Sequence, residues 1–147
     1  MILSTLSTTI SLQHDHDQAP YVLLVDDDCD DCDVFMETIK EGWPHLSVTC
    51  FNYSERVMDF LSKAPANALP SLMVFDYNMP KITGVELVKK VKEDFRFAHI
   101  PVAVYSHSSY SRHREESLAA GACIFLSKSS SLESIKEDVK ELLSYCL

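Results

Sequence analysis

The chain has 147 residues, 46% of them hydrophobic and 24% charged, which is the size and composition of one folded domain with a real core. Its formal net charge is −9, and no run of Lys or Arg is long enough to follow a phosphate backbone, so nucleic acid is excluded as a first-choice partner. Five cysteines, an odd number without a secretory leader, indicate a reducing cytoplasmic setting, and no apolar run is long enough to insert in a membrane.

Residues 1–19 are rich in Ser and Thr, then polar, and show no period, the pattern of a flexible tail; the domain is expected over 20–147. Within that tail His14 and His16 alternate with Asp15 and Asp17, more simply a solvated segment than a metal site. Tyr21–Val25 is a five-residue apolar run, the pattern of a central parallel strand, and it stops at Asp26, Asp27 and Asp28. Cys32, Phe35, Met36 and Ile39 then recur at helical spacing, behind a first turn carrying Asp30, Asp31 and Asp33. Cys29-x-x-Cys32 invites a zinc or redox reading, but no second pair or matching His spacing supports it, and Cys32 fits the apolar stripe. Gly42 and Pro44 end this helix.

Val48–Asn52 reads as a shorter, more polar strand, and Ser54 as the cap of a second helix with Val57, Phe60, Leu61 and Ala64 inward. Leu72–Phe75 is a short buried strand that delivers one carboxylate, Asp76, followed at once by the turn residues Asn78 and Pro80. Thr83-x-x-Glu86 is a capping box for a third helix with Gly84, Leu87, Val88 and Val91 inward. Pro101–Tyr105 reads as a fourth strand ending at Ser106-His107, and a fourth helix runs from about Ser111 to Ala120, stopping at Gly121. Cys123–Ser127 is a fifth strand followed by Lys128. Ser130-x-x-Glu133 is a second capping box, ahead of a last helix with Leu132, Ile135, Val139, Leu142 and Cys146 inward.

Strands that alternate with helices predict an α/β fold, a doubly wound five-stranded parallel sheet with helices on both faces. Reactive groups in such a sheet gather at the C-terminal ends of the strands. Those ends carry Asp26 and Asp27, then Asp76 and Asn78, then Ser106, then Lys128. Three carboxylates converging on one crevice repel each other, which favours a divalent cation or a raised pKa. Oxygen-only ligands suit Mg²⁺ at about 2.0–2.1 Å. With Lys128 and Ser106 opposite, the set is suited to a carboxylate, Asp76, attacking a phosphoryl group whose oxygens are neutralised from both sides. The plainer alternative is that the acids cap helices and Lys128 pairs with one of them structurally.

The ordered set resembles the receiver domain of two-component response regulators over about residues 20–146. Val25-Asp26-Asp27 is similar to that family's acidic pair, Phe75-Asp76-Tyr77-Asn78-Met79-Pro80 with Gly84 to its phosphoacceptor block, and Ala120-Gly121-Ala122 with Lys128 to its closing motif. The resemblance implies a flavodoxin-like sheet order 2-1-3-4-5. It also implies phosphoryl transfer to Asp76 from a histidine kinase or a phosphotransfer histidine. By the same resemblance Asp27, Asp76 and the Asn78 backbone carbonyl bind Mg²⁺, Asp26 acts through water, Ser106 is the switch hydroxyl and Phe125 the rotating aromatic.

Four positions depart from the pattern, one of them Thr83, which replaces a common Asp and is explained by helix capping. His107 stands where the family has Ala or Gly, and a ring there is expected to modulate access to the acyl phosphate. Ser129 replaces a proline whose preceding bond is commonly cis, so a trans Lys128–Ser129 bond and a rerouted loop are expected. Phe125 lacks the hydroxyl of the Tyr found in many relatives. Because the chain ends within its last helix, a stand-alone receiver is expected. It would assist its own phosphorylation without being a turnover enzyme, and would signal by relay or by binding a partner on the strand 4–helix 4–strand 5 face. A receiver-like interaction module working without phosphate and a Mg²⁺-dependent aspartyl-phosphate hydrolase are the alternatives. The hydrolase is disfavoured because Asn78, not a second acid, stands two residues after Asp76.

Overall fold

The computed structural model describes residues 20–147; the expected tail, with His14 and His16, lies outside the described residues. Five strands, β1 (Tyr21–Val25), β2 (Ser47–Phe51), β3 (Leu72–Phe75), β4 (Val102–Ser106) and β5 (Ile124–Ser127), alternate with α1 (Cys29–Gly42), α2 (Val57–Lys63), α3 (Gly84–Glu93), α4 (Ser111–Ala120) and α5 (Leu132–Leu143). All strand pairs are parallel and the sheet order is β2-β1-β3-β4-β5, as expected. Among the described residues, no helix is long and apolar enough to cross a membrane.

Side chains of a strand alternate between faces, so the central runs feed two cores. Leu23 and Val25, Met73 and Phe75, and Val102 and Val104 pack with Val57 and Leu61 of α2 and with Leu87, Val88 and Val91 of α3. Val22 and Leu24, Leu72 and Val74, and Ala103 and Tyr105 pack with Cys32, Phe35 and Ile39 of α1 and with Val139, Leu142 and Leu143 of α5. Burial on both faces is why these strands read as unbroken apolar runs. Each fully buried Leu or Phe among them contributes about 1.5–3 kcal/mol.

Several local expectations are corrected. Ser54 does not cap α2. It begins a 3₁₀ turn, Ser54–Arg56, and its buried hydroxyl donates to the Ile82 carbonyl at 2.7 Å, joining the loop after β2 to the loop after β3. The cap of α5 is Ser131 rather than Ser130, its Oγ accepting the Ser134 N–H. Leu132, expected on the inner face of that helix, is 76% exposed because it sits in the first turn, ahead of the residues that reach the sheet. Met36 likewise faces outward while Phe35 and Ile39 are buried. Cys32 is buried as expected, and its near neighbour is Cys50 on β2, with the sulfurs 2.8 Å apart, rather than Cys29.

Candidate functional site

Parallel register aligns the acids. Val25 of β1 lies opposite both Phe51 of β2 and Phe75 of β3, so the residues that follow, Asp26 and Asp76, leave the sheet side by side. Backbone bonds continue the ladder past the strands: Asp26 N–H donates to Phe51 O at 3.0 Å, and Asp76 N–H to Val25 O at 2.9 Å. The Asn52 amide fixes the Asp26 carbonyl at 2.8 Å.

The loop after β3 is pinned by α3. A Cβ on Gly84 would fall 2.1 Å from the Asp76 carbonyl oxygen, so only glycine lets the helix approach, and the Gly84 N–H donates to Tyr77 O at 2.9 Å. Thr83 caps α3 by accepting the Glu86 N–H, as its sequence position indicates.

Asp26, Asp27 and Asp76 each place one carboxylate oxygen within 4.8 Å of the others. Asp26 is buried, Asp76 half-buried and Asp27 exposed, so the cluster opens to solvent on the Asp27 side. Burial raises the Asp76 carboxyl to about 6; Asp26 adds to the rise, while the Lys128 charge and hydrogen bonds from Ser106 and the Tyr77 N–H oppose it. Asp26 is also raised, first by burial, despite its bonds from Lys128 and the Asp28 N–H. An all-oxygen donor set with this excess of negative charge fits a hard dication with open positions. Asn78 follows on the same loop with its side chain exposed.

The opposite wall comes from β4 and β5. Their register pairs Ser106 with Ser127, and the next amide, Lys128 N–H, donates to Ser106 O at 2.7 Å. The Ser106 hydroxyl is buried and bonds Asp76. The Lys128 side chain, 6% exposed, spans back across the site to Asp26 Oδ2 at 2.5 Å and Asp31 Oδ2 at 2.9 Å. Burial works against its charge, but these two carboxylates, with the Asp76 charge, outweigh burial and hold its pKa above the ordinary lysine value.

The Lys128–Ser129 bond is trans, as expected, and the described residues contain no cis peptide. A serine here has a consequence beyond geometry. The Ser129 N–H, which a proline would lack, donates to Asp138 Oδ2 at 2.9 Å, and the buried Tyr105 hydroxyl donates to the same oxygen at 2.7 Å.

Asp31 makes contacts that its place in the sequence does not announce. Asp31 reads in the sequence only as an acid of the first turn of α1, yet it bonds Lys128 and, through the same Oδ2, His107 Nε2 at 3.0 Å. Burial is the largest single influence on its pKa and raises it, but the Lys128 and His107 contacts together outweigh burial and lower it. No local signal marks it, because its partners are 76 and 97 residues away. The His107 ring is mostly exposed and is directed at Asp31. Asp28 caps α1 by accepting the Asp30 and Asp31 N–H groups. Phe125 lies buried in the core shared with α2 and α3.

With this geometry in hand, the comparisons agree. The family described as response regulator receiver domain matches residues 22–140. This chain belongs to the response regulator receiver family. It is 36% identical over 110 residues to the two-component response regulator ORR5 of Oryza sativa, covering 75% of this chain and 78% of that one. It is 32% identical over 136 residues to the two-component response regulator ARR16 of Arabidopsis thaliana, covering 86% and 82%. Among solved structures, the phosphorylated cyanobacterial phytochrome response regulator RcpA superposes with a TM-score of 0.78 at 25% identity, covering 88% of this chain and 94% of that one. The receiver fold thus places the acidic trio and Lys128 at the strand ends where the sequence puts them.

Proposed function

We propose that the chain is a cytoplasmic, single-domain response regulator in which Asp76 accepts a phosphoryl group from a histidine kinase or a phosphotransfer histidine. The observation that carries this is the position of Asp76. It is half-buried, beside Asp26 and Asp27, and bonded by the Ser106 hydroxyl, with the Lys128 charge within reach. The single-domain reading is supported by two of the relatives, ORR5 and ARR16, of whose length the alignments cover 78% and 82%.

In the transfer, an Asp76 carboxylate oxygen forms a bond to phosphorus as the phosphorus–nitrogen bond of the donor phosphohistidine breaks. The electron pair of that bond returns to the imidazole nitrogen, which then takes a proton from solvent. Asp76 Oδ1 accepts the Tyr77 N–H at 2.9 Å, which orients the carboxylate. Lys128 neutralises charge on the phosphoryl oxygens and Ser106 donates a hydrogen bond to one of them. Asp26, Asp27, Asp76 and the Asn78 backbone carbonyl would hold Mg²⁺, which when bound supplies further neutralisation of those oxygens. The protein assists this one event on itself and turns over no separate substrate.

Recruitment of Ser106 to the phosphoryl group would shift the loop after β4 and so alter the β4–α4–β5 face. That face carries exposed Tyr110 at the N-terminal cap of α4 and exposed Leu118 on α4, whose one fully buried residue is Ser117, and it is the proposed partner surface. Incubation with Mg²⁺ and acetyl phosphate, followed by intact mass measurement, tests the proposal. One added phosphate, lost in Asp76→Asn, supports it. No gain in the wild type rejects it in favour of an interaction module, and steady release of phosphate from phosphomonoesters would reveal a hydrolase.

A further inference from the structure

Lys128 is already engaged in this structure. Its ammonium lies between Asp26 and Asp31, and Asp76 feels its charge without a hydrogen bond from it. Two of its three N–H donors are given to the Asp26 and Asp31 carboxylates and none reaches Asp76, so holding a phosphoryl oxygen on Asp76 draws the ammonium toward Asp76 and away from one carboxylate. The two are unequal: the Asp26 side chain is 3% exposed and the Asp31 side chain 27%. Withdrawing the lysine from buried Asp26 would leave that charge to the cation site alone, whereas water can take over at partly exposed Asp31. Asp31 is therefore the partner that yields. Its Oδ2 also bonds His107, the residue that follows Ser106 on the loop after β4. A cavity of about 30 Å³, room for one water, has Asp26, Asp31, His107, Lys128 and Ser129 among its lining residues, so Lys128 and its partners border free space in which to rearrange.

We propose that Asp31 is a positioning residue that competes with the phosphoryl group for Lys128 and, on releasing it, passes the change to His107 and the loop after β4. The inference rests on Asp76 as the phosphoacceptor. In the unphosphorylated protein, the chain of contacts His107–Asp31–Lys128–Asp26 ties the loop after β4 to the start of α1. Once Lys128 turns to the phosphoryl group, Asp31 keeps only His107, and the loop is held from one side.

The test is titration of the full chain with beryllofluoride, a phosphoryl mimic, in saturating Mg²⁺, followed by fluorine NMR. In Asp31→Asn the competitor is weakened and half-saturation should fall about threefold, the scale of a partly exposed ion pair. Asp31→Glu should return it toward the wild-type value. Mg²⁺ binding measured alone should stay within about twofold, since Asp31 is outside the acidic trio. The His107 ring nitrogen resonances should move on beryllofluoride binding in the wild type and move less in Asp31→Asn. If Asp31 only supports the first turn of α1, Asp31→Asn lowers resistance to urea and leaves half-saturation unchanged, which overturns the proposal. Weaker beryllofluoride binding in Asp31→Asn overturns it as well. A wild type that takes no beryllofluoride overturns both this inference and the reading of Asp76, whereas a wild type that binds while Asp31→Asn matches it overturns this inference alone.

Discussion

The two walls of the site are built by different means. The acid wall follows from backbone register: Val25 opposite Phe51 and Phe75 sets Asp26 beside Asp76, and Gly84 lets α3 lock the loop that follows. The lysine wall depends on side-chain pairs between distant parts of the chain: Lys128 with Asp26 and Asp31, His107 with Asp31, and Ser129 and Tyr105 with Asp138. Register is shared by many residues, so the first wall tolerates single changes outside its contact points. The second wall hangs on a few bonds, each of which one substitution removes.

Breaking the lysine wall at its centre should have the largest effect. Lys128→Met leaves Asp26 buried without its cation and should lower the unfolding free energy at pH 7 by about 3 kcal/mol. Burial already raises the Asp26 pKa, so the loss should shrink as pH falls and the carboxyl takes up a proton. Urea denaturation across a pH series checks this.

A matched change on the acid wall is Gly84→Ala, which drives a methyl group into the Asp76 carbonyl. It should destabilise by about 2–3 kcal/mol by urea denaturation, with little dependence on pH because no charge is involved. Equal pH dependence in the two variants would erase the distinction between the walls.

Charge on the acid wall opposes folding in the metal-free protein. Asp76 titrates near 6 when folded and near 3.8 by its ordinary value, so the folded state holds the proton more tightly. Its contribution is fully present below about pH 4 and is lost as pH rises through about 6. Asp76→Asn should thus stabilise the metal-free protein at pH 7 by about 1–2 kcal/mol, after allowance for solvent screening, and by much less at pH 4. Mg²⁺ should narrow the gap by stabilising the wild type more than the variant.

The smallest expected effect separates backbone from side-chain support on the lysine wall. Ser129→Pro removes the N–H that Asp138 accepts and should cost about 1 kcal/mol, read as a shift in urea midpoint. Asp138 retains the Tyr105 hydroxyl, so the loss is partial.

This contrast also explains what was legible in the sequence. Apolar runs announce strands buried on both faces, and the residue after each run must lie at the sheet's C-terminal rim, so Asp26, Asp76, Ser106 and Lys128 could be placed without coordinates. Asp31 could not. It looks like any acid in the first turn of a helix, and its function comes from partners 76 and 97 residues distant. Ser54 and Leu132 were misjudged for a related reason. Each sits in a pattern that is locally correct, but the packing of the loop after β3 claims the first and the short reach of the first turn of α5 leaves the second in solvent. Cys32 illustrates the same limit, since its sequence neighbour Cys29 is exposed and its spatial neighbour Cys50 is 18 residues away.

The most direct measurement is chemical mapping of the phosphorylated residue. After treatment with Mg²⁺ and acetyl phosphate, borohydride reduction converts an aspartyl phosphate to homoserine, which peptide mass spectrometry locates. The account predicts homoserine at position 76 alone, dependent on Mg²⁺ and absent from Asp76→Asn. Homoserine at Asp26 or Asp27, or none at any position, would contradict it.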